Sequence, residues 1–228
     1  MRCGCVDGGE GCSYCRGMSF LLPYLRRRCS ALEDYIFEKK GGFNFGGLVK
    51  REHLDTPYAE GFRYAGGYQA ARCSDLRHLF KAAGVPGRTF PIFIDLGSGK
   101  GKAVFYARAK GLSQEYIGVE LSTSLVGIAN QNLSKSGAAD IRFELGDAGA
   151  YVLPEAACFI FLFNPFDAAV MAKFLSLNRA HFERFPSVIA YAYDVQREVF
   201  AAHGFEMVFR DPARKISLHE LRAAHTGL

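Results

Sequence analysis

A glycine-rich turn follows a short apolar segment near the middle of the chain, and it limits the fold more than any other feature. Residues 93–101 are Phe-Ile-Asp-Leu-Gly-Ser-Gly-Lys-Gly, and Ile-Gly-Val-Glu follows at residues 117–120. Glycine has no Cβ, so the chain can turn sharply there and its backbone can lie close to a ligand. A strand, a glycine turn, a helix and a second strand ending in an acidic residue predict a nucleoside-binding βαβ unit.

The spacing of the glycines distinguishes between nucleoside ligands. A dinucleotide site has the pattern G-x-G-x-x-G and holds a pyrophosphate at a helix N-terminus, whereas Gly97, Gly99 and Gly101 follow G-x-G-x-G. Asp95 stands two positions before the first glycine, where a carboxylate would repel a pyrophosphate and attract a cation. S-adenosylmethionine meets this condition, because it carries an ammonium and a sulfonium but no phosphate. A tight turn without a ligand is the alternative at this point.

Four segments, taken in order, resemble those of the class I S-adenosylmethionine-dependent methyltransferases. They are Asp95-Leu-Gly-Ser-Gly-Lys-Gly101, Gly118-Val-Glu-Leu121, Gly146-Asp-Ala148 and Phe163-Asn-Pro-Phe166. The resemblance implies that the first segment surrounds the methionine part of the donor and that the acidic end of the second holds the ribose. It also implies that the third places an acid near the adenine amine and that the fourth lies beside the transferred methyl group.

The resemblance assigns donor-binding roles to residues in all four segments. These residues are Asp95, Leu96, Gly97, Ser98, Gly99, Gly101, Glu120, Leu121, Asp147, Ala148 and Asn164. The cofactor that the resemblance implies is S-adenosyl-L-methionine, and the activity is methyl transfer to a nucleophilic acceptor.

Asn164, Pro165 and Phe166 are the candidate catalytic residues. An asparagine amide oxygen can accept a hydrogen bond from an amine, and the carbonyl of a rigid proline holds a second acceptor in a fixed direction. Two acceptors would orient the lone pair of an amine toward the methyl group, and Phe166 would stack on a planar acceptor or face a cation. The expected acceptor is therefore an amine nitrogen. A turn in which Asn164 bonds to local backbone is the alternative.

The Asn-Pro-Phe segment departs from the family pattern in one position. Amino-methyltransferases often have Asn/Asp-Pro-Pro-Tyr/Phe there, and this chain lacks the second proline. The segment is also similar to the Asn-containing fourth segment of non-SET protein lysine methyltransferases, which implies a protein lysine as one candidate acceptor. A nucleic acid and a small molecule stay open as acceptors, and so does the oligomeric state.

Hydrophobic periodicity predicts strands that alternate with helices. The later strands are expected at 115–120, 141–145, 158–163, 187–193, 205–210 and 214–221, and the helices at 102–110, 122–136, 167–184 and 195–203. With the strand that begins at residue 93, this order predicts an α/β fold: a Rossmann-like, doubly wound, mostly parallel seven-stranded sheet with helices on both faces. Gly97, Glu120, Asp147 and Asn164 all follow predicted strands, at the edge where open sheets of this kind bind ligands.

A helical and irregular N-terminal extension is expected before this domain. Residues 17–40 have the period of an amphipathic helix that ends at Gly41-Gly42, and a further helix is expected at 69–83. Residues 41–68 are rich in glycine and aromatic residues without a clear period, and we expect them to cover the ligand pocket. There, Tyr64 or Tyr68 would pack against the methionine chain or the acceptor. Aromatic residues that only seal the edge of the sheet are the alternative.

The predicted divisions are a tail rich in cysteine and glycine at 1–16, the extension at 17–84 and the donor-binding domain at 85–228. The tail contains Cys3, Cys5, Cys12 and Cys15, whose four thiolates are candidate ligands of a tetrahedral zinc ion. Only one residue separates the first pair, so a reduced tail without metal is the alternative. Seven cysteines in a chain of 228 residues argue against a secreted disulfide framework.

Composition limits the remaining function classes. No apolar run reaches the length of about 18 residues that a membrane span needs, and no signal-peptide pattern is present, so we expect a cytoplasmic protein without membrane insertion. A net charge of +5 is too small by itself to indicate a nucleic-acid partner. A non-catalytic nucleoside-binding or zinc-binding scaffold is one alternative function. A nicotinamide-dependent oxidoreductase is another, although Lys102 stands where its third glycine would be.

Overall fold

The structure is a computed structural model that describes residues 28–85 and 87–222. In chain order its elements are α1 (28–41), β1 (Leu48–Val49), α2 (Ala59–Tyr64), β2 (Tyr68–Gln69), α3 (Cys73–Ala82), β3 (Ile92–Leu96), α4 (Lys102–Ala109), β4 (Glu115–Glu120), α5 (Thr123–Ser136), β5 (Ile141–Leu145), β6 (Cys158–Phe163), α6 (Ala168–Leu177), α7 (Arg179–Arg184), β7 (Val188–Ala192), α8 (Glu198–Ala202), β8 (Phe205–Asp211) and β9 (Ile216–Leu221). The candidate zinc ligands Cys3, Cys5, Cys12 and Cys15 and the first part of the predicted 17–40 helix lie outside these residues.

One sheet of seven strands organises the domain, in the order β5-β4-β3-β6-β7-β9-β8. The strands from β5 to β7 pair in parallel, whereas β9 is antiparallel to both of its neighbours. The predicted α/β fold with a mostly parallel seven-stranded sheet is therefore confirmed. Because β3, at the centre, is the first strand of the sheet in sequence, the chain runs outward from it in both directions. The carboxyl ends of β3 and its neighbours thus form a topological switch point.

Both faces of the sheet are covered, which explains the continuous apolar runs in the central strands. Alternate residues of β6 belong to opposite cores: Phe159 and Phe161 pack on one face, and Ile160 and Leu162 on the other. The ring of Phe159 stacks on that of Phe93 with centroids 5.8 Å apart. This packing fixes the register of β3 against β6 and so fixes the position of the loops that follow them.

The helix predicted over 167–184 is two helices, α6 and α7, that meet at Asn178. The buried Asn178 amide accepts a hydrogen bond from the Leu153 backbone N–H at 2.8 Å and donates to the Tyr151 carbonyl at 2.9 Å. These side-chain bonds fasten the junction between α6 and α7 to residues 151–153. Periodicity could not show the break, because it depends on a contact that is distant in sequence.

The extension is more regular than its sequence indicated. Residues 41–68, predicted as irregular, contain α2, a 3-10 turn at Arg51–His53 and β1, which pairs antiparallel with β2. Because β2 takes Tyr68–Gln69, α3 begins at Cys73 rather than at residue 69. Strands of two residues are too short to leave a periodic signal. Among the described residues, no helix has the length and apolarity that crossing a bilayer requires.

Candidate donor-binding and active site

The glycine turn between β3 and α4 lies against other parts of the chain so closely that side chains would not fit. Gly97 has a φ of +84°, and a Cβ there would lie 2.7 Å from the Cβ of Pro165. The N–H groups of Gly97 and Ser98 donate to the Val119 carbonyl at 2.8 and 3.0 Å. The turn is therefore held between the end of β4 and the segment that follows β6, as a nucleoside-binding turn requires.

Glu120 ends β4 and is nearly enclosed, with 7% of its surface exposed. Its Oε2 accepts a hydrogen bond from the Gly99 backbone N–H at 2.7 Å, and its Oε1 accepts one from Ser122 at 2.9 Å. Burial raises the pKa of this carboxyl group, while the backbone N–H groups of Ser122, Gly99 and Leu121 act against the rise. Each oxygen keeps a free lone pair, so the carboxylate can still accept from the two hydroxyls of a ribose.

Asp95, in β3, is the most deeply buried acid of the site, at 3% exposure. Burial, together with the nearby charge of Glu120, raises its pKa well above the usual range. Among the described residues, none donates a hydrogen bond to Asp95, and none bonds to the buried Ser98 hydroxyl in the same compartment. Buried polar groups of this kind are costly unless a ligand satisfies them. A cation at this position would do so, and the ammonium of S-adenosylmethionine is one.

Asp147 follows β5, and its side chain caps a short 3-10 turn at Ala148–Ala150. Its Oδ1 accepts from the Gly149 N–H at 2.9 Å. Gly61, in α2, lies so close that a Cβ there would be 3.0 Å from both the Asp147 carboxyl carbon and Leu121. The extension therefore packs directly on the two residues that the sequence assigned to the adenosine.

A crevice runs along the carboxyl ends of the central strands, in two compartments that share Tyr68, Gln69, Gly97 and Phe163. The larger compartment contains Glu120, Leu121, Asp147 and Ala148. The smaller one contains Asp95, Ser98 and Lys102. An adenosine fits the chemistry of the first, and the amino acid end of the donor fits that of the second.

The crevice brings together most, but not all, of the residues predicted for the site. Its walls include Asp95, Gly97, Ser98, Glu120, Leu121, Asp147, Ala148, Pro165 and Phe166. Four other predicted residues do not line the crevice but determine the course of the backbone behind or beside it: Leu96, Gly99, Gly101 and Asn164. Of the two tyrosines proposed as cover, Tyr68 lines both compartments, whereas Tyr64 lines neither, because α2 ends at Tyr64 and the chain then extends across the crevice.

Several wall residues come from the extension and carry no recognisable sequence signal. Leu54 and residues 65–69 form one side of the larger compartment. Asp55 fixes this segment to the domain, because its carboxylate accepts from the Ser122 hydroxyl at 2.7 Å and from the Ser124 backbone N–H at 3.1 Å. Hydrogen bonds from Ser124 and Ser122 lower the pKa of Asp55 to about 2. A motif search cannot find such residues, because they reach the site through tertiary contacts.

The segment after β6 has a strained backbone. Asn164 has a φ of +42°, which is uncommon for a residue with a Cβ. Its Oδ1 accepts a hydrogen bond from the Tyr191 hydroxyl at 3.0 Å, and the Pro165 carbonyl accepts from the Gly66 N–H at 3.1 Å. Both candidate acceptors for an amine are thus held in place by one protein donor each. Each oxygen retains a second lone pair.

Other titratable side chains at this end of the chain have structural partners. Asp194 is buried, and its carboxylate pairs with Arg210 at 2.9 Å. His181 and His219 bond to Ser187 and Ser217 through Nε2, each at 2.9 Å. None of these residues lines the crevice, and we assign no general base to them. Within 28–85 and 87–222, no three side chains of the metal-ligating types form a cluster.

A family model described as a methyltransferase domain matches residues 92–210, more than half of the chain. The chain belongs to this methyltransferase family. The match spans the strands from β3 to β8, and therefore the glycine turn and all four segments that shape the crevice. The resemblance to class I S-adenosylmethionine-dependent methyltransferases, the predicted enzyme class and S-adenosylmethionine as the cofactor are confirmed. The glycine cradle of this methyltransferase fits that donor, and so does the Asp95 carboxylate, which has no hydrogen-bond donor in the part of the chain that the structure describes.

Solved structures with similar folds have low sequence identity to the methyltransferase. A protein in the NADB-Rossmann superfamily from Streptococcus agalactiae is 18% identical with a TM-score of 0.50, over 70% of this chain and 72% of that one. TrmN from Thermus thermophilus is 16% identical with a TM-score of 0.50, over 67% and 49%. An RNA methyltransferase from Salinibacter ruber in complex with S-adenosyl-L-homocysteine is 20% identical with a TM-score of 0.48, over 70% and 97%. The first two likenesses show a shared fold. No curated protein matches the chain at a significant level.

Proposed function

We propose that the methyltransferase transfers the donor methyl group to an amine nitrogen that Asn164 and Pro165 orient. The observation that carries this proposal is the left-handed backbone of Asn164, held beside the crevice by the Tyr191 hydroxyl. Strain of this kind costs roughly 1–3 kcal/mol and occurs most often where function requires it. The neighbouring Pro165 packs on Gly97, so this segment lies against the turn that would hold the methionine part of the donor.

Methyl transfer from a sulfonium depends mainly on geometry. The sulfonium leaves as a neutral thioether, so the protein has to hold a deprotonated nitrogen in line with the methyl group at near-contact distance. The Asn164 amide oxygen and the Pro165 carbonyl are suited to this, because each can accept one N–H of a neutral amine and leave its lone pair pointing at the methyl group. A proton lost from an ammonium acceptor passes to solvent or to a base that we do not assign.

Among the classes of acceptor, we propose the side-chain amine of a protein lysine. The carboxylates Glu120 and Asp147 in the crevice walls face neutral parts of the donor, the ribose and the adenine, so they attract a cationic side chain and disfavour a polyanion. The Gly66 backbone lies close to the segment after β6, because a Cβ on Gly66 would lie 3.4 Å from the Asn164 carbonyl oxygen.

The test is an assay of methyl transfer from labelled donor to a lysate separated into protein, RNA and small molecules. We expect label in the protein fraction that is released as N-methyllysine on hydrolysis. Asn164→Gly should abolish this transfer while the affinity for the donor stays within a few-fold. Label that is removed by ribonuclease would replace lysine by an RNA acceptor, and label on oxygen or carbon would overturn the proposal of an amine acceptor.

A further inference from the structure

Lys102 is a buried lysine in the first turn of α4, beside the smaller compartment of the crevice. Only 7% of its side chain is exposed, and it shares this compartment with Asp95 and Ser98. Its ammonium donates to Asp34 Oδ1 at 2.7 Å, and it has no other hydrogen-bond acceptor among the described residues. An ammonium has three N–H donors, so two remain for a ligand.

The charges in this compartment match the amino acid end of the donor. Asp95 is buried and accepts no hydrogen bond from the described residues, so a cation would satisfy it, whereas the two N–H donors of Lys102 that Asp34 leaves free can bind the oxygens of an anion. The methionine part of S-adenosylmethionine carries an ammonium and a carboxylate on one carbon atom. We propose that Lys102 binds the α-carboxylate of the donor and so makes the enzyme selective for donors that retain this group.

Asp34 acts as a positioning residue for Lys102. It lies in α1, and its Oδ1 accepts both the Lys102 ammonium and the Cys73 backbone N–H at 2.8 Å. The carboxylate therefore joins the first turns of α3 and α4 and holds the Lys102 ammonium at the edge of the compartment. Selection of the donor carboxylate thus depends on a residue of the extension, outside the span that the family model matches.

An ion pair that only fastens the extension to the domain would have different consequences. Loss of such a pair would lower the stability of the fold and would reduce the affinity for every donor by the same factor. Loss of a carboxylate-binding lysine reduces the affinity only for donors that have a carboxylate. Comparing S-adenosylmethionine with its decarboxylated form, which keeps the ammonium, the sulfonium and the adenosine, separates these two roles.

The experiment measures equilibrium binding of both compounds to the full chain by calorimetry, without an acceptor. We expect the unmodified protein to bind S-adenosylmethionine about ten- to a hundredfold more tightly than the decarboxylated form, as is typical for hydrogen bonds between charged groups. Lys102→Met should remove this preference and leave the affinity for the decarboxylated form within about twofold. Asp95→Asn should reduce the affinity for both compounds, since both carry the ammonium.

Lys100→Met is the matched control. Lys100 is equally buried and two residues away, but its ammonium donates to the Gly46 carbonyl and to Asn44. This variant should keep the preference for the carboxylate. If Lys102→Met does not fold, the double variant Asp34→Asn/Lys102→Met removes both partners and leaves neither charge unpaired.

Three results would overturn the proposal: equal affinities in the unmodified protein, an equal loss for both compounds in Lys102→Met, or the same loss of preference in Lys100→Met. The measurement concerns the donor alone. Its outcome is therefore independent of the amine acceptor proposed above.

Discussion

The Glu120 carboxylate accepts a hydrogen bond from the backbone N–H of Gly99 at 2.7 Å. This bond joins the carboxyl end of β4 to the glycine turn after β3, so the acid that would hold the ribose also fixes the loop that would hold the methionine part. Donor binding and the shape of the turn are thus coupled through one side chain.

Replacing Glu120 should weaken the binding of the donor. In Glu120→Gln the amide keeps a single acceptor oxygen, so it cannot accept from Gly99, Ser122 and both ribose hydroxyls together. We expect a loss of about 1.5–3 kcal/mol in the binding free energy of S-adenosylmethionine, measured by calorimetry. Glu115→Gln, at the exposed opposite end of the same strand, should bind as the unmodified protein does. Unchanged affinity in Glu120→Gln would remove the ribose assignment.

A methyl group added at Gly97 should disturb both the turn and the segment after β6. The new Cβ would lie 2.7 Å from the Pro165 Cβ, well inside an ordinary contact of about 3.5–4.0 Å. Gly111→Ala is the control, because Gly111 also has a positive φ, of 63°, but nothing lies within 4 Å of its added Cβ. In chemical denaturation, Gly97→Ala should lose about 1–3 kcal/mol more than Gly111→Ala and should also lose donor affinity. Equal losses would show that Pro165 does not press on the turn.

Asn164 should matter for turnover rather than for folding. Glycine adopts a φ of +42° without strain, so Asn164→Gly should keep or raise thermal stability while it removes the amide and abolishes transfer. Lys215→Gly relieves a similar φ of 55° in the turn between β8 and β9, two strands away from β6 and outside the crevice walls, and should leave the rate unchanged. Tyr191→Phe should lower the rate, because it frees the Asn164 amide to rotate. A fully active Asn164→Gly enzyme would contradict the orienting role.

The stability of the fold should decrease in mild acid because of His219. This residue is 1% exposed and stacks on Phe200, and burial lowers its pKa to about 4. Between pH 6.5 and 4 the unfolded chain therefore binds more protons than the folded one, and the free energy of unfolding falls as the pH falls through this window, by up to about 3 kcal/mol. Urea denaturation at several pH values should show that the free energy of unfolding falls less steeply with decreasing pH in His219→Gln than in the unmodified protein. A slope identical to that of the unmodified protein would contradict this account. Burial also lowers the pKa of His181, which leaves part of the slope in place.

Much of the fold could be predicted because its signals are local. The apolar strand, the glycine turn and the acid at the end of the next strand lie within residues 93–120, and the chirality of βαβ units then determines how they are arranged. Glu120 and Asp147 could be found for the same reason, since each directly follows a strand or stands at its end. The neighbouring strands then place them at one edge of the sheet.

The parts that could not be predicted depend on contacts between distant segments. Tyr68 reaches the crevice because the Gly66 N–H bonds to the Pro165 carbonyl, about a hundred residues away. The choice of Tyr68 over Tyr64 depends on where α2 ends, which residues 59–64 alone do not determine. Lys102 adjoins the glycine motif but gains its orientation from Asp34, so its position gave no sign of a ligand-binding role.

The most direct test of the account is a crystal structure of the full chain with S-adenosyl-L-homocysteine. We predict that both ribose hydroxyls lie within hydrogen-bond distance of the Glu120 carboxylate, and that the adenine lies beside Asp147. The amino acid end should enter the compartment of Asp95 and Lys102, with the sulfur facing Asn164. A nucleoside bound outside this crevice, or one whose ribose contacts no atom of Glu120, would contradict it.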